Sequence, residues 1–165
     1  MADRKLFAVA LIFLALPLGA KDNKDAGFAG RWVMDSKGST APEGLTNLEQ
    51  RIKVSGSKVT IESKFPEPAN GIIPLLYLGV MTTTLTLSTD GADAQNQVGP
   101  FQMGSKTTLN GNEMVTDWTA EVKGDQVQGH WTRTLSDDGR QMVLKLQETS
   151  TKGQQGQAEL HFNRK

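Results

Sequence analysis

Residues 114–135 read MVTDWTAEVKGDQVQGHWTRTL, and this stretch decides the fold. Apolar or small residues occupy nearly every second position on both sides of Gly124-Asp125, which is the periodicity of β-strands. A two-residue turn at Gly124-Asp125 folds the two halves into a hairpin. The stretch therefore predicts an antiparallel hairpin with one largely apolar face, on which Val122 pairs with Val127, Ala120 with Gly129, Trp118 with Trp131, Thr116 with Arg133, and Met114 with Leu135.

Residues 48–65 show the same organisation around a turn at Gly56-Ser57. Glycine at the first turn position favours a type II′ hairpin. A slip of one residue would move every side chain to the opposite face, so the apolar pattern favours one register. That register pairs Val54 with Val59, Ile52 with Ile61, Gln50 with Ser63, and Leu48 with Phe65.

Turn signals and alternation continue on both sides of these hairpins. Turns at Asp138-Gly139 and near Gly153 place seven more residues on the face of Trp131, namely Met142, Leu144, Leu146, Ala158, Leu160, Phe162 and Arg164. Earlier strands are predicted at about 28–34, 77–89 and 101–109, with turns at Asp90-Gly91 and Asn110-Gly111. We therefore expect an all-β, antiparallel up-and-down meander of 8–9 strands that closes into a barrel, because closure removes exposed strand edges.

The N-terminus has the features of a cleavable secretory signal. Arg4 and Lys5 precede an uncharged apolar run, Leu6–Leu18, and Gly19-Ala20 offers small residues for cleavage. The run is shorter than the roughly 20 residues that span a bilayer, although an uncleaved anchor is the alternative interpretation. We expect residues 1–20 to be a signal peptide, 21–27 a flexible lead-in and 28–165 a single domain that is exported to the periplasm or beyond.

Composition excludes several classes of function. The 18 Lys and Arg balance the 18 Asp and Glu, so no basic surface for nucleic acid is expected. Cysteine is absent, which excludes thiol redox chemistry and thiolate metal sites. His130 and His161 fall on the polar faces of separate strands, so no metal site is predicted. The sequence contains no catalytic motif, and no catalytic residue or cofactor is predicted. The oligomeric state is left open.

The segment Phe28–Trp32 carries a G-x-W motif, Gly30-Arg31-Trp32, at the start of the first strand. It resembles the opening motif of the lipocalins and fatty-acid-binding proteins, the calycin barrels. The resemblance implies that Gly30 and Trp32 help to close the barrel floor against an arginine of a late strand, either Arg164 or Arg133. Together with the Ser136–Gly139 turn, it is also similar to a loose group of uncharacterised exported bacterial proteins that open with G-x-W.

The calycin layout also implies which loops share an end of the barrel. Trp32 would lie at the floor with the turns at 56–57 and 124–125. The open end would hold residues 36–47, 66–76, 110–112 and 136–139.

Arg133 is the most informative candidate residue, because it falls on the apolar face, expected in the upper half of the interior. One interpretation is that Arg133 binds an anionic head group, such as a carboxylate; the other is a structural arginine near the rim. The leading hypothesis is a barrel that holds a small apolar or amphiphilic molecule against Arg133, Trp118, Trp131, Leu144, Phe162 and Tyr77. The alternatives are a filled barrel that acts through its surface or residues 66–80, and, third, an enzyme.

Overall fold

The computed structural model of the chain describes residues 27–41, 45, 47–64 and 84–165. These ranges contain no α-helix, and no helix in them is long and apolar enough to cross a bilayer. They form ten strands: β1 (Gly30–Met34), β2 (Glu49–Ser55), β3 (Lys58–Lys64), β4 (Thr84–Ser88), β5 (Asp90–Val98), β6 (Phe101–Asn110), β7 (Glu113–Val122), β8 (Asp125–Leu135), β9 (Gln141–Ser150) and β10 (Gln155–Arg164).

All ten strands belong to one antiparallel sheet. Its order is β4-β3-β2-β1-β10-β9-β8-β7-β6-β5, so β1 pairs with β2 on one side and with β10 on the other. β4 and β5 are the two edges of the sheet, and they lie next to each other in space. The expected all-β antiparallel meander is confirmed, and it forms a nearly closed barrel.

The expected strand count of 8–9 was wrong, because β5 was interpreted as a turn at Asp90-Gly91. β5 is mostly polar and exposed, and only Asn96 and Val98 are buried in it. Its pairing with β6 also shifts between Asp90 and Asp93. An edge strand of this kind lacks the apolar alternation by which the other strands were found. The residues predicted to begin the preceding strand, 77–83, lie outside the described ranges.

The hairpin of β2 and β3 has the predicted register. Gln50 lies opposite Ser63, Ile52 opposite Ile61, and Val54 opposite Val59. Gly56 has a φ of 60° and the φ of Ser57 is not positive, as in a type II′ turn. The expected pairing of Leu48 with Phe65 involves a residue outside the described ranges.

The hairpin of β7 and β8 differs from the prediction. Its two-residue turn is Lys123-Gly124, with φ values of 53° and 74°, which is the pattern of a type I′ turn. Asp125 is the first residue of β8 and lies opposite Val122. Every predicted pair is therefore displaced by two residues, so that Trp118 lies opposite Gly129 rather than Trp131. A displacement of two leaves every side chain on its predicted face, because the side-chain period of a strand is two.

The missed strand also reversed the assignment of loops to the two ends. The turns at 56–57, 111–112 and 136–140 lie at the Trp32 end, whereas 123–124 and 151–154 lie at the other end. The predictions that 124–125 shares the floor and that 110–112 and 136–139 line the open end were wrong. Because β5 adds one strand to the meander, each later strand runs in the direction opposite to the one predicted. Arg133, two residues before the end of β8, consequently lies in the half nearer Trp32, not in the upper half.

A side-chain amide bridges the seam between β4 and β5. The backbone N–H of Thr86 donates to Oδ1 of Asn96 at 2.6 Å, and Nδ2 of Asn96 donates to the carbonyl oxygen of Thr86 at 3.0 Å. Asn96 is buried. Its amide thus supplies the acceptor and the donor that a neighbouring backbone would otherwise provide.

Replacing Asn96 by alanine should destabilise the barrel by about 1–3 kcal/mol, because two part-buried backbone groups of Thr86 lose their partners. Urea unfolding followed by tryptophan fluorescence measures the change. Gln95→Ala, on the exposed face of the same strand, is the matched control and should stay within about 0.5 kcal/mol. Equal stability of the two variants would show that the bridge contributes nothing.

Candidate ligand-binding site

The Trp32 end is closed by Arg164. The Arg164 guanidinium carbon lies 4.5 Å from the centre of the Trp32 ring, and Trp32 is fully buried. Arg164 donates to the carbonyl oxygens of Ala29 and Gly139, both at 2.7 Å, and of Gly27. Of the two arginines considered for this role, the structure thus places Arg164 on Trp32.

Gly30 leaves the space that Arg164 occupies. Its φ is 148°, and a Cβ there would lie 3.1 Å from Nη1 of Arg164. Trp32 is itself fixed by a hydrogen bond from Nε1 to the carbonyl oxygen of Phe28, at 2.9 Å. The three residues of the G-x-W prediction that concern closure, Gly30, Trp32 and Arg164, therefore lie together at one end of the barrel.

Arg133 lies inside the barrel and is fully buried. Its strand neighbours are Met114 and Leu144, and its guanidinium carbon is 5.8 Å from the centre of the Trp131 ring. Among the described residues, Nε, Nη1 and Nη2 of Arg133 have no hydrogen-bond partner. Burial lowers the pKa of Arg133 to about 10, so the side chain is a cation at neutral pH.

Trp131 separates Arg133 from a buried carboxylate. Nε1 of Trp131 donates to Oε1 of Glu148 at 2.9 Å, and Glu148 is buried. Glu148 lies opposite Gly129, four positions along β8 from Arg133, and the pair Trp131 and Leu146 lies between them. At this separation Arg133 and Glu148 are too far apart to act as one acid–base pair.

The other predicted pocket residues lie on the same inner surface, with one outside the described ranges. Trp118 and Trp131 have ring centres 5.3 Å apart and planes tilted by 49°. Leu144 lies directly opposite Arg133, and Phe162 lies opposite Met142 and Met34, nearer the floor. All are buried. Tyr77 lies outside the described residues.

Several polar residues on the inner surface were not predicted as site residues. Thr107 and Thr116 share a hydrogen bond of 2.9 Å, and Nε2 of Gln50 donates to Oγ of Ser63 at 3.1 Å. Ser105 is buried as well. Strand alternation could have identified these polar residues, because each lies an even number of positions from the buried apolar residues of its own strand. The interior is therefore an apolar surface with polar groups on β2, β3 and β6–β9.

The outer surface carries separate features. Nδ1 of His130 is 2.7 Å from Oδ1 of Asp117, and Nε2 of His161 is 2.8 Å from Oε1 of Glu159. The part of the chain that the structure describes holds no cluster of three or more side chains suited to a metal ion. A groove of about 680 Å³ crosses β5–β9; outward-facing residues such as His130 form most of its lining, which also includes Ser105, Trp118 and Gly129. Another groove of about 780 Å³ lies outside β1–β3.

Comparisons with known proteins agree with this architecture. No family model matches the sequence, and neither does any curated protein. A secretory abundant heat soluble protein of Ramazzottius varieornatus superposes with a TM-score of 0.56 at 10% identity, covering 84% of this chain and 96% of that one. Secretory abundant heat soluble protein 4 of the same organism gives 0.50 at 13% identity, covering 83% and 94%. Both likenesses concern the fold, an antiparallel β-barrel. Fatty-acid-binding protein 1 of Echinococcus granulosus gives 0.48 at 12% identity, covering 84% and 97%.

Gly129 should resist substitution because Trp118 occupies its side-chain space. A Cβ at Gly129 would lie 2.1 Å from Nε1 of Trp118, a distance that the packed ring must move to relieve. We expect Gly129→Ala to lower the free energy of unfolding by about 1–3 kcal/mol, as overpacked cores do.

Gly104→Ala is the matched control for this prediction. Its Cβ would meet the exposed end of the Gln95 side chain at 3.1 Å, which can swing away. Urea unfolding of both variants makes the comparison, and a Gly129→Ala protein as stable as Gly104→Ala would contradict the predicted clash.

Proposed function

We propose that this protein is an exported, non-enzymatic binding protein that holds a small amphiphilic molecule, with the anionic head group of that molecule at Arg133. The observation that carries the proposal is the buried guanidinium of Arg133, which lacks a hydrogen-bond partner among the described residues. An isolated buried cation is strongly unfavourable, and an anionic ligand would compensate for it.

A carboxylate is the head group that suits this site best. The planar guanidinium can donate two parallel hydrogen bonds to a carboxylate, and such bonds are stronger than those between neutral groups. The walls beside Arg133 are apolar, formed by Met114, Leu144 and the ring of Trp131. These walls would accommodate a hydrocarbon tail but no second charge.

A filled barrel that acts through its surface is the second candidate function. The contact between the Trp118 and Trp131 rings favours it, because both buried indoles occupy space inside the barrel. The two grooves described above lie on the outside of the sheet, which also favours a role for the surface. Residues 66–80, the other proposed contact segment, lie outside the described ranges.

Binding of decanoate, measured by isothermal titration calorimetry, tests the head-group assignment. Arg133→Leu should weaken decanoate by about 1.5–3 kcal/mol, roughly ten- to hundredfold, the contribution of a hydrogen bond to a charged group. The same variant should leave the ligand-free protein at least as stable, since a buried charge is replaced by an apolar side chain. Arg51→Leu, on the exposed face of β2, is the control and should bind decanoate as the parent does.

The outcomes separate the two candidate functions. Loss of decanoate binding in Arg133→Leu, with unfolding stability retained, would support the ligand hypothesis. Failure of the parent protein to bind decanoate, or equal binding by Arg133→Leu, would reject Arg133 as the head-group site and leave the filled barrel.

Export is tested by the start of the mature chain. If residues 1–20 are a cleaved signal, the protein isolated from its own source should begin at Lys21 and be found outside the cytoplasm. N-terminal sequencing of the fractionated protein measures this. A mature chain that begins at Met1 or Ala2 would refute cleavage, and Ala20→Arg should abolish processing if the predicted cleavage position is right.

A further inference from the structure

A second set of polar groups lies inside the barrel, away from Arg133. Ser105, Trp118, Gly129 and Glu148 form one row across β6, β7, β8 and β9, each directly opposite the next. The three side chains in this row are buried, with exposures of 5% for Ser105, 2% for Trp118 and 1% for Glu148. The row lies four residues along β8 from Arg133, on the same inner face.

Two polar groups in this row lack partners. Within the described ranges, neither Oγ of Ser105 nor Nε1 of Trp118 has a hydrogen-bond partner. Buried polar groups without partners are uncommon, and each requires an explanation such as a water molecule or a ligand. Trp131 shows the contrast, because its Nε1 donates to Glu148.

Gly129 fixes the position of the unpaired indole N–H. A Cβ at residue 129 would fall 2.1 Å from Nε1 of Trp118, so the indole edge lies over the Gly129 backbone. Any larger residue at 129 would exclude this placement. Glycine at residue 129 therefore allows the indole N–H of Trp118 to lie beside the backbone of β8.

We propose that the bound molecule carries a hydroxyl group as well as its anionic head, and that the hydroxyl binds to Ser105 and Trp118. This inference rests on the proposed function. An indole N–H can only donate and a serine hydroxyl can do both, so a ligand hydroxyl can accept from Trp118 and donate to Ser105. A second carboxylate fits poorly, because the carboxyl group of Glu148 is buried in the same row and two carboxyl groups that share a buried site disfavour each other's ionisation.

The spacing of the two polar sites defines the length of the molecule. Residues 129 and 133 of an extended strand are about 13 Å apart, which a hydrocarbon chain of roughly ten carbons spans. Between the two sites lies the ring of Trp131, whose centre is 5.3 Å from that of Trp118 and 5.8 Å from the Arg133 guanidinium carbon. The expected ligand class is a hydroxylated medium- or long-chain carboxylate whose tail lies against the two indoles.

Calorimetric titration with decanoate and 10-hydroxydecanoate tests the inference. The full mature protein should bind 10-hydroxydecanoate about five- to tenfold more tightly than decanoate, the usual contribution of hydrogen bonds between neutral groups. Trp118→Phe keeps an aromatic ring and removes the N–H, and Ser105→Ala removes the hydroxyl. In each, the ratio of the two affinities should fall toward one.

Thr119→Ala is the control variant. Thr119 is adjacent to Trp118 in β7 but is exposed on the outer face, where it lines the groove near Gly104. It should keep the full preference for the hydroxylated ligand. If Thr119→Ala loses the preference and Trp118→Phe keeps it, the hydroxyl binds in the outer groove and the inference is wrong.

The remaining outcomes separate this inference from the proposed function. If both ligands bind with equal affinity and Arg133→Leu weakens both, the head-group site stands and the hydroxyl site is refuted; bound water then satisfies Ser105 and Trp118. If neither ligand binds, both the proposed function and this inference fail. Because Ser105→Ala and Trp118→Phe change different side chains, a folding defect in one leaves the other to decide.

Discussion

The short strand β1 is the constraint on which the rest of the barrel depends. It is hydrogen-bonded to β2 and β10 at once, and so it joins the two ends of the described chain. Arg164 reinforces this junction by covering Trp32 and donating to backbone carbonyls on both sides of it. If β1 did not pair with both neighbours, the sheet would have four edges instead of two. The interior, which holds Arg133 and Glu148, would then be open to water.

Arg133 and Glu148 are two ionisable residues that the nearly closed barrel buries in its interior. Both are buried in a chain that could have placed leucine at either position without disturbing the alternation. Buried ionic groups seldom raise stability relative to apolar residues of similar size. Trp131 donates to Glu148, whereas Arg133 has no hydrogen-bond partner among the described residues, and this contrast is the basis of the head-group site proposed above.

The sequence predicted the parts of this structure that depend on strand alternation. The side-chain period of two along a strand predicted which residues face inward, including Arg133. The turn at Lys123-Gly124 displaces the predicted pairing by two residues, and such a displacement does not change the face of any side chain. The polar edge strand β5 has no such pattern, and missing it inverted the ends of the barrel. Alternation does not indicate which group a side chain hydrogen-bonds. The bridge from Asn96 to Thr86, and the lack of a partner for the Trp118 N–H within the described ranges, were therefore visible only in the packed structure.

The seam bridged by Asn96 has a consequence for the motions of the barrel. Eight strands are held by a neighbour on each side, whereas β4 and β5 are each held by a ladder on one side only. Local opening begins where the fewest hydrogen bonds must break, so these two strands should exchange their amide hydrogens first. The barrel would then open transiently along the seam between β4 and β5. Such opening would give the proposed ligand a route in and out while the Trp32 end stays folded.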